Sequence, residues 1–217
     1  MWIFLSHRLS VKTPVYDDGP RLEISPYKQI SRGDSSNSFF IKMLNHIGTH
    51  VDAPNHFDPD GRKISSFTAD ELSFSKPLLI EVAKKSEELI TADDLRPFHP
   101  RIAESDILLL KTGFQVYRET DPLTYVKKGP CLSPDAAEYL RNFPLLRALG
   151  VDMVSISSPS KRELGRESHR KLLVGRDFLI IEDMDLLNKP ADLKRVLVVP
   201  LMVEEVDSAP CTVLAEV

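Results

Sequence analysis

Apolar residues along this chain fall into short blocks rather than into long stretches of helical period. Runs of about four to eight β-branched, aromatic and other apolar residues predict strands over 2–5, 38–44, 78–82, 107–111, 151–156, 178–181, 196–203 and 212–217. The runs from Leu78 and Ile107 are almost continuously apolar, as expected of strands covered on both faces. Helix signals are fewer. Ser133-Pro134-Asp135 offers an N-cap hydroxyl, a proline at the first helical position and an acid where the helix dipole favours it. Thr91-Ala92-Asp93-Asp94-Leu95 starts a shorter helix, and residues 167–173 give a third. Sixteen prolines against nine glycines keep the elements short and joined by ordered loops. The pattern predicts an α/β protein with a mixed or parallel sheet and short helices, in one domain over 1–217.

Composition narrows the function. With 217 residues, 42% hydrophobic and 28% charged, the chain has the make-up of a folded globular protein. A formal net charge of −4 gives no basic excess to neutralise a phosphate backbone, so nucleic-acid binding is disfavoured. The longest apolar stretch, interrupted by Pro200, is far short of the roughly 20 residues that span a bilayer, so no membrane segment is expected. Met1-Trp2-Ile3-Phe4-Leu5 lacks a preceding basic region and a following small-residue cleavage site, and reads as a first strand. Two cysteines, Cys131 and Cys211, form no framework of bridges and point to a cytoplasmic, reducing home, with a single bridge between them left open. No G-x-S-x-G elbow and no phosphate-binding glycine motif occurs.

The histidines stand out. There are six, and His46, His50 and His56 fall within eleven residues, where chance would place about 0.3. Residues four apart sit about 6 Å apart on a helical turn but roughly 13 Å apart in an extended chain, so His46 and His50 converge only if the chain turns between them. His50 and Asp52 share one side of an extended segment. Pro54-Asn55 is suited to bend the chain back and return His56. Imidazole and carboxylate without thiolate is a donor set for Zn²⁺, Mn²⁺ or Fe²⁺, able to lower the pKa of a coordinated water. Ile47 stands where a zinc-protease motif would need its general base.

The stretch His46-Ile47-Gly48-Thr49-His50-Val51-Asp52-Ala53-Pro54-Asn55-His56-Phe57 resembles the H-x-G-T-H-x-D-x-P-x-H signature of the cyclase family of metal-dependent hydrolases, which includes bacterial kynurenine formamidases and isatin hydrolases. Similar landmarks follow at residues 106–113, 132–140, 150–156, 169–173 and 180–182. The resemblance implies a swivelling β/β/α fold, a homo-oligomer (dimer or tetramer), and one or two divalent ions, zinc or manganese. It implies His46, His50 and Asp52 as ligands of a first ion, with Asp52 bridging to a second completed by His169 and Glu182. His56 matches the catalytic histidine. Gly48 and Thr49 are expected to support the ligands, glycine by a close turn and threonine by a hydrogen bond to one of them. The early loop departs from the family pattern, with Pro14-Val15-Tyr16-Asp17-Asp18-Gly19-Pro20 where many members carry Pro-Gly-Asp, and Tyr16 is a candidate to stack on substrate. Ser168 stands where members often have a second histidine. His7 and His99 receive no role.

The expected activity is hydrolysis of a C–N amide-type bond by metal-activated water, in an aryl formamide such as N-formylkynurenine or in a cyclic amide, with His56 moving a proton. The rivals are a metal-dependent cyclase or dehydratase acting on a small molecule, and a non-catalytic metal-stabilised binding protein.

Overall fold

The computed structural model describes residues 1–217. Its strands are β1 (Trp2–Phe4), β2 (Glu23–Lys28), β3 (Ser38–Lys42), β4 (His50–Asp52), β5 (Ser73–Phe74), β6 (Pro77–Glu81), β7 (Leu89–Ile90), β8 (Ile107–Lys111), β9 (Cys131–Leu132), β10 (Ala148–Val151), β11 (Leu179–Glu182), β12 (Arg195–Pro200) and β13 (Ser208–Glu216). The α-helices are α1 (Ala92–Leu95), α2 (His99–Ala103), α3 (Tyr117–Thr120), α4 (Pro122–Lys127), α5 (Pro134–Arg141) and α6 (Arg162–Leu173).

Nine strands form one mixed sheet in the order β5-β12-β13-β4-β11-β10-β8-β6, with β1 also on β13. β6, β8, β10 and β11 are parallel, and β4 joins them antiparallel. The two ends of this order, β5 and β6, are separated only by Ser75 and Lys76, whose amides both donate to the Asp106 carboxylate at 2.7 and 2.9 Å. The sheet therefore curls until it nearly closes.

Strand alternation divides the apolar residues between two cores. Val51, Leu79, Ile107, Leu109, Leu179 and Ile181 point into the curled sheet. Their neighbours Leu78, Ile80, Leu108, Leu110 and Ile180 point outward, where Leu95, Ile102, Leu140 and Leu172 of the helices cover them. This is why 78–80 and 107–110 are apolar at every position. Helix α5 begins as expected, with the Ser133 side chain accepting from the Ala136 amide. Helix α1 carries a reciprocal capping box between Thr91 and Asp94.

The single-domain α/β architecture with a mixed sheet and short helices matches the expectation. Two local expectations are corrected. The strand expected over 151–156 ends at Val151, because the Asp152 carboxylate turns to accept from the amides of Thr112 and Gly113 and from the Thr112 hydroxyl. Residues beyond it form a buried loop instead. Helix α6 starts five residues before the expected 167, at Arg162. Both cysteines are buried and free, so the open question of a bridge closes against one. No helix is long and apolar enough to cross a membrane.

Candidate metal centre

The centre is built first by β4. Val51 points into the curled sheet, which obliges His50 and Asp52 to emerge together on the outer face. Across the antiparallel ladder Glu182 of β11 lies directly opposite His50, on that same face. Before the strand, Gly48 takes φ +61°, a left-handed turn suited to glycine, and this turn brings His46 back over the strand. After it, a 3-10 turn over Pro54–His56 returns His56. The bends expected on both sides of an extended 50–52 are thus present.

His169 comes from α6, which sits close against the loop after β10. A Cβ at Gly165 would stand 2.4 Å from Ser157 Cβ and 2.6 Å from its Cα, so only glycine permits this approach. The helix thereby places His169 Nε2 3.5 Å from Glu182 Oε1 and 3.9 Å from Asp52 Oδ2. His50 Nε2 lies 3.4 Å from Glu182 Oε2 and 3.6 Å from Asp52 Oδ1, and His46 Nδ1 lies 3.0 Å from Asp52 Oδ1. His46, His50, His56, His169 and Glu182 therefore gather round the buried Asp52 and line one cavity of about 400 Å³.

Hydrogen bonds fix which ring nitrogens are bare. His50 Nδ1 donates to the Gly48 carbonyl at 2.8 Å, and His169 Nδ1 donates to the Gly165 carbonyl at 2.8 Å. A carbonyl only accepts, so each Nδ1 carries a proton, and in the neutral ring Nε2 is the nitrogen left bare, turned towards carboxylate oxygens. Glu182 Oε1 is held by the Ser155 hydroxyl at 2.9 Å and the Ile156 amide at 2.7 Å. Asp52 is different. Both its oxygens are buried with no hydrogen-bond partner. Acceptors facing acceptors in a buried site are costly unless a cation or protons lie between them.

The charge balance leads to the same conclusion. Burial alone would raise Asp52 and Glu182, but the surrounding imidazoles outweigh it and hold both below the usual carboxylate range. Burial likewise pulls His46 down, yet Asp52 and Asp207 override it and lift the imidazole to about 10. These donors suit a divalent ion: nitrogen and oxygen ligands, deprotonated carboxylates, and an orphaned buried carboxylate among them. Two donor groups are compact enough to share an ion as they stand, His46-Asp52-His56 and His50-Asp52-Glu182.

Other expected residues fall as follows. The Gly48 carbonyl holds the His50 ring, whereas the Thr49 hydroxyl reaches no histidine or carboxylate of the cluster. Thr49 Oγ1 donates to the Asp183 carbonyl at 2.5 Å and accepts from the His7 amide at 2.9 Å, so it ties the signature to the end of β11 and corrects the expected bond to a ligand. Asp183 takes a left-handed φ of 51°, and its carboxylate is gripped by Arg118 at 2.8 Å through two nitrogens and by the Tyr125 hydroxyl at 2.7 Å. Tyr16 lines the cavity and shares a hydrogen bond with Ser157 Oγ at 3.2 Å. Asp207 was absent from the sequence reading. One of its oxygens lies 2.7 Å from His56 Nδ1 and 2.9 Å from His46 Nε2. It stands 151 residues beyond His56, and nothing local in the sequence marks it.

A family model described as "Putative cyclase" matches residues 3–158. An uncharacterized protein of Haemophilus influenzae is 38% identical over 116 residues, which is 53% of this chain and 82% of that protein. The kynurenine formamidase of Geobacillus thermodenitrificans is 29% identical over 178 residues, 78% of this chain and 77% of its own length. Among solved structures, isatin hydrolase A from Labrenzia aggregata superimposes with a TM-score of 0.84 at 20% identity, over 99% of this chain and 93% of that one. At that identity the likeness shows a shared fold.

Proposed function

The chain belongs to the cyclase family, and from that membership and the geometry of its centre we propose a metal-dependent hydrolase that cleaves a C–N amide-type bond. The substrate class is an aryl formamide such as N-formylkynurenine, or a cyclic amide. The observation that carries this reading is the buried Asp52 carboxylate, unpartnered at both oxygens and ringed by imidazoles that line an open cavity. A purely structural ion would be closed off from such a cavity. His46, His50 and Asp52 would hold one ion, and Asp52, His169 and Glu182 a second. Their nitrogen and oxygen donors favour zinc or manganese. When bound, the ion supplies an activated water and polarises the scissile carbonyl.

The chain's own residues do the rest. His56 presents a ring edge to the cavity and moves a proton to the leaving nitrogen. Gly48 and Gly165 carbonyls hold two imidazoles in the tautomer that leaves Nε2 bare. Tyr16, on the cavity wall, supplies an aromatic face for a small aromatic substrate. Two buried free thiols support a reducing, cytoplasmic home. A homo-oligomer is supported by the β2–β3 hairpin, which exposes Ile24, Phe39, Phe40 and Ile41. A two-stranded ribbon is marginal by itself in water.

The test is reconstitution with zinc or manganese, metal counted per chain, and turnover on N-formylkynurenine, isatin and related cyclic amides. His56→Ala should keep its metal and lose about 10²–10⁴ in kcat. Asp52→Asn should lose metal and turnover together. Wild-type turnover in both variants would refute the proposal.

A further inference from the structure

Asp207 immediately precedes β13, and its place is fixed by the backbone. Its carbonyl accepts from the Ala53 amide at 2.9 Å, while its neighbour Ser208 pairs with Asp52 across the ladder between β4 and β13. Its carboxylate is fixed too, because Asn45 Nδ2 donates to Oδ1 at 2.7 Å and to the Ser208 carbonyl at 3.4 Å. That leaves Oδ2 aimed at two rings at once, His56 Nδ1 at 2.7 Å and His46 Nε2 at 2.9 Å. The rings are themselves packed, with centroids 4.2 Å apart.

A carboxylate accepts and does not donate, so both ring nitrogens that face it must carry protons. The consequence differs for the two rings. In His46 the proton on Nε2 makes Nδ1 the nitrogen that can bind an ion, beside Asp52 Oδ1 at 3.0 Å. In His56 the proton on Nδ1 leaves Nε2 bare. We propose that Asp207 is a positioning residue for both halves of the centre, one oxygen setting the tautomer of the His46 ligand and of the His56 proton carrier together. Asn45 holds the carboxylate in place through its other oxygen, Oδ1.

The role of His56 in proton transfer comes from the hydrolase reading, so the experiment keeps two readouts that need no turnover. Long-range ¹H–¹⁵N spectra of the imidazoles in zinc-loaded protein give the His56 tautomer, and competition with a chelator gives zinc affinity. Wild type should show His56 protonated at Nδ1. In Asp207→Asn the nearly isosteric amide can donate where the carboxylate accepted, and His56 should move to the Nε2–H form. Zinc affinity should fall about 10–100-fold, the usual effect of losing a carboxylate that orients a metal-binding histidine. On whichever amide the wild type cleaves, kcat should fall about 10²–10⁴-fold with KM within about twofold. Asn45→Ala, which spares the carboxylate, should show a smaller change in the same direction. An Nε2–H His56 in wild type, or an unchanged tautomer and zinc affinity in Asp207→Asn, would overturn the assignment. A wild type that binds zinc and shows the Nδ1–H form, but cleaves no amide, would refute the hydrolase reading and leave the positioning role standing.

Discussion

Replacing Gly165 with alanine tests whether close helix packing is what delivers His169 to the centre. The new Cβ would meet Ser157 Oγ at 2.1 Å, Ser157 Cβ at 2.4 Å and Ser157 Cα at 2.6 Å. Rotating the serine removes only the first of these contacts. Carbon atoms settle at about 3.5–4.0 Å, so α6 and the Ser157 loop must separate by about 1 Å. Overpacking of this kind costs about 1–3 kcal/mol, which for a chain of this size lowers the melting temperature by roughly 2–12 °C. The same 1 Å carries His169 away from Glu182 and Asp52, whereas ligand distances tolerate only about 0.2 Å. Differential scanning calorimetry should therefore show a modest stability loss, and metal analysis a drop in ions bound per chain or in affinity. Gly33→Ala is the control, since Gly33 has φ +91° and no atom within 4 Å of a built Cβ. It should cost stability through backbone strain and leave metal binding untouched. If Gly165→Ala lost stability yet bound metal as the wild type does, the packing account of His169 would fail.

Two further outcomes are expected. In chelator, the charge cluster should make stability depend on pH from both sides. His46 is raised from 6.5 to about 10, so its contribution is complete below 6.5 and drains as pH climbs through 10. Glu182 is lowered from 4.5 to about 2, so its contribution is complete above 4.5 and drains as pH falls through 2. Metal-free melting temperature should peak between about 4.5 and 6.5 and decline above, while added zinc should stabilise more as pH rises because it displaces those protons; a flat metal-free profile from pH 6 to 10 contradicts the cluster. Separately, Phe39→Ser with Ile41→Lys removes apolar surface from residues 53% and 62% exposed on the hairpin. Sedimentation should show the pair shifting the oligomer towards monomer, and an unchanged mass would separate the hairpin from assembly.

Much of the centre could be read along the chain because its first half is local. His50-Val51-Asp52 obeys the two-residue strand repeat, and its single apolar member shows which way the other two must face. Gly48 and Pro54 mark the bends that bring in His46 and His56. The helix caps at Ser133 and Thr91 were legible for the same reason, since a cap joins residues three apart. The expected strand over 151–156 failed on a contact that crosses the chain, the Asp152 carboxylate reaching Thr112 and Gly113. β-Propensity counts side chains and does not see where a carboxylate finds its donors.

What the sequence determined by itself is the kind of donor and the local turn that presents it. Only the tertiary structure decided who stands opposite. Glu182 faces His50 because of ladder register, His169 arrives because Gly165 lets a helix approach, and Asp207 clasps two imidazoles because the curled sheet brings β13 beside β4. Those pairings depend on register and closure among strands far apart in sequence, and such geometry exists only once the sheet has formed.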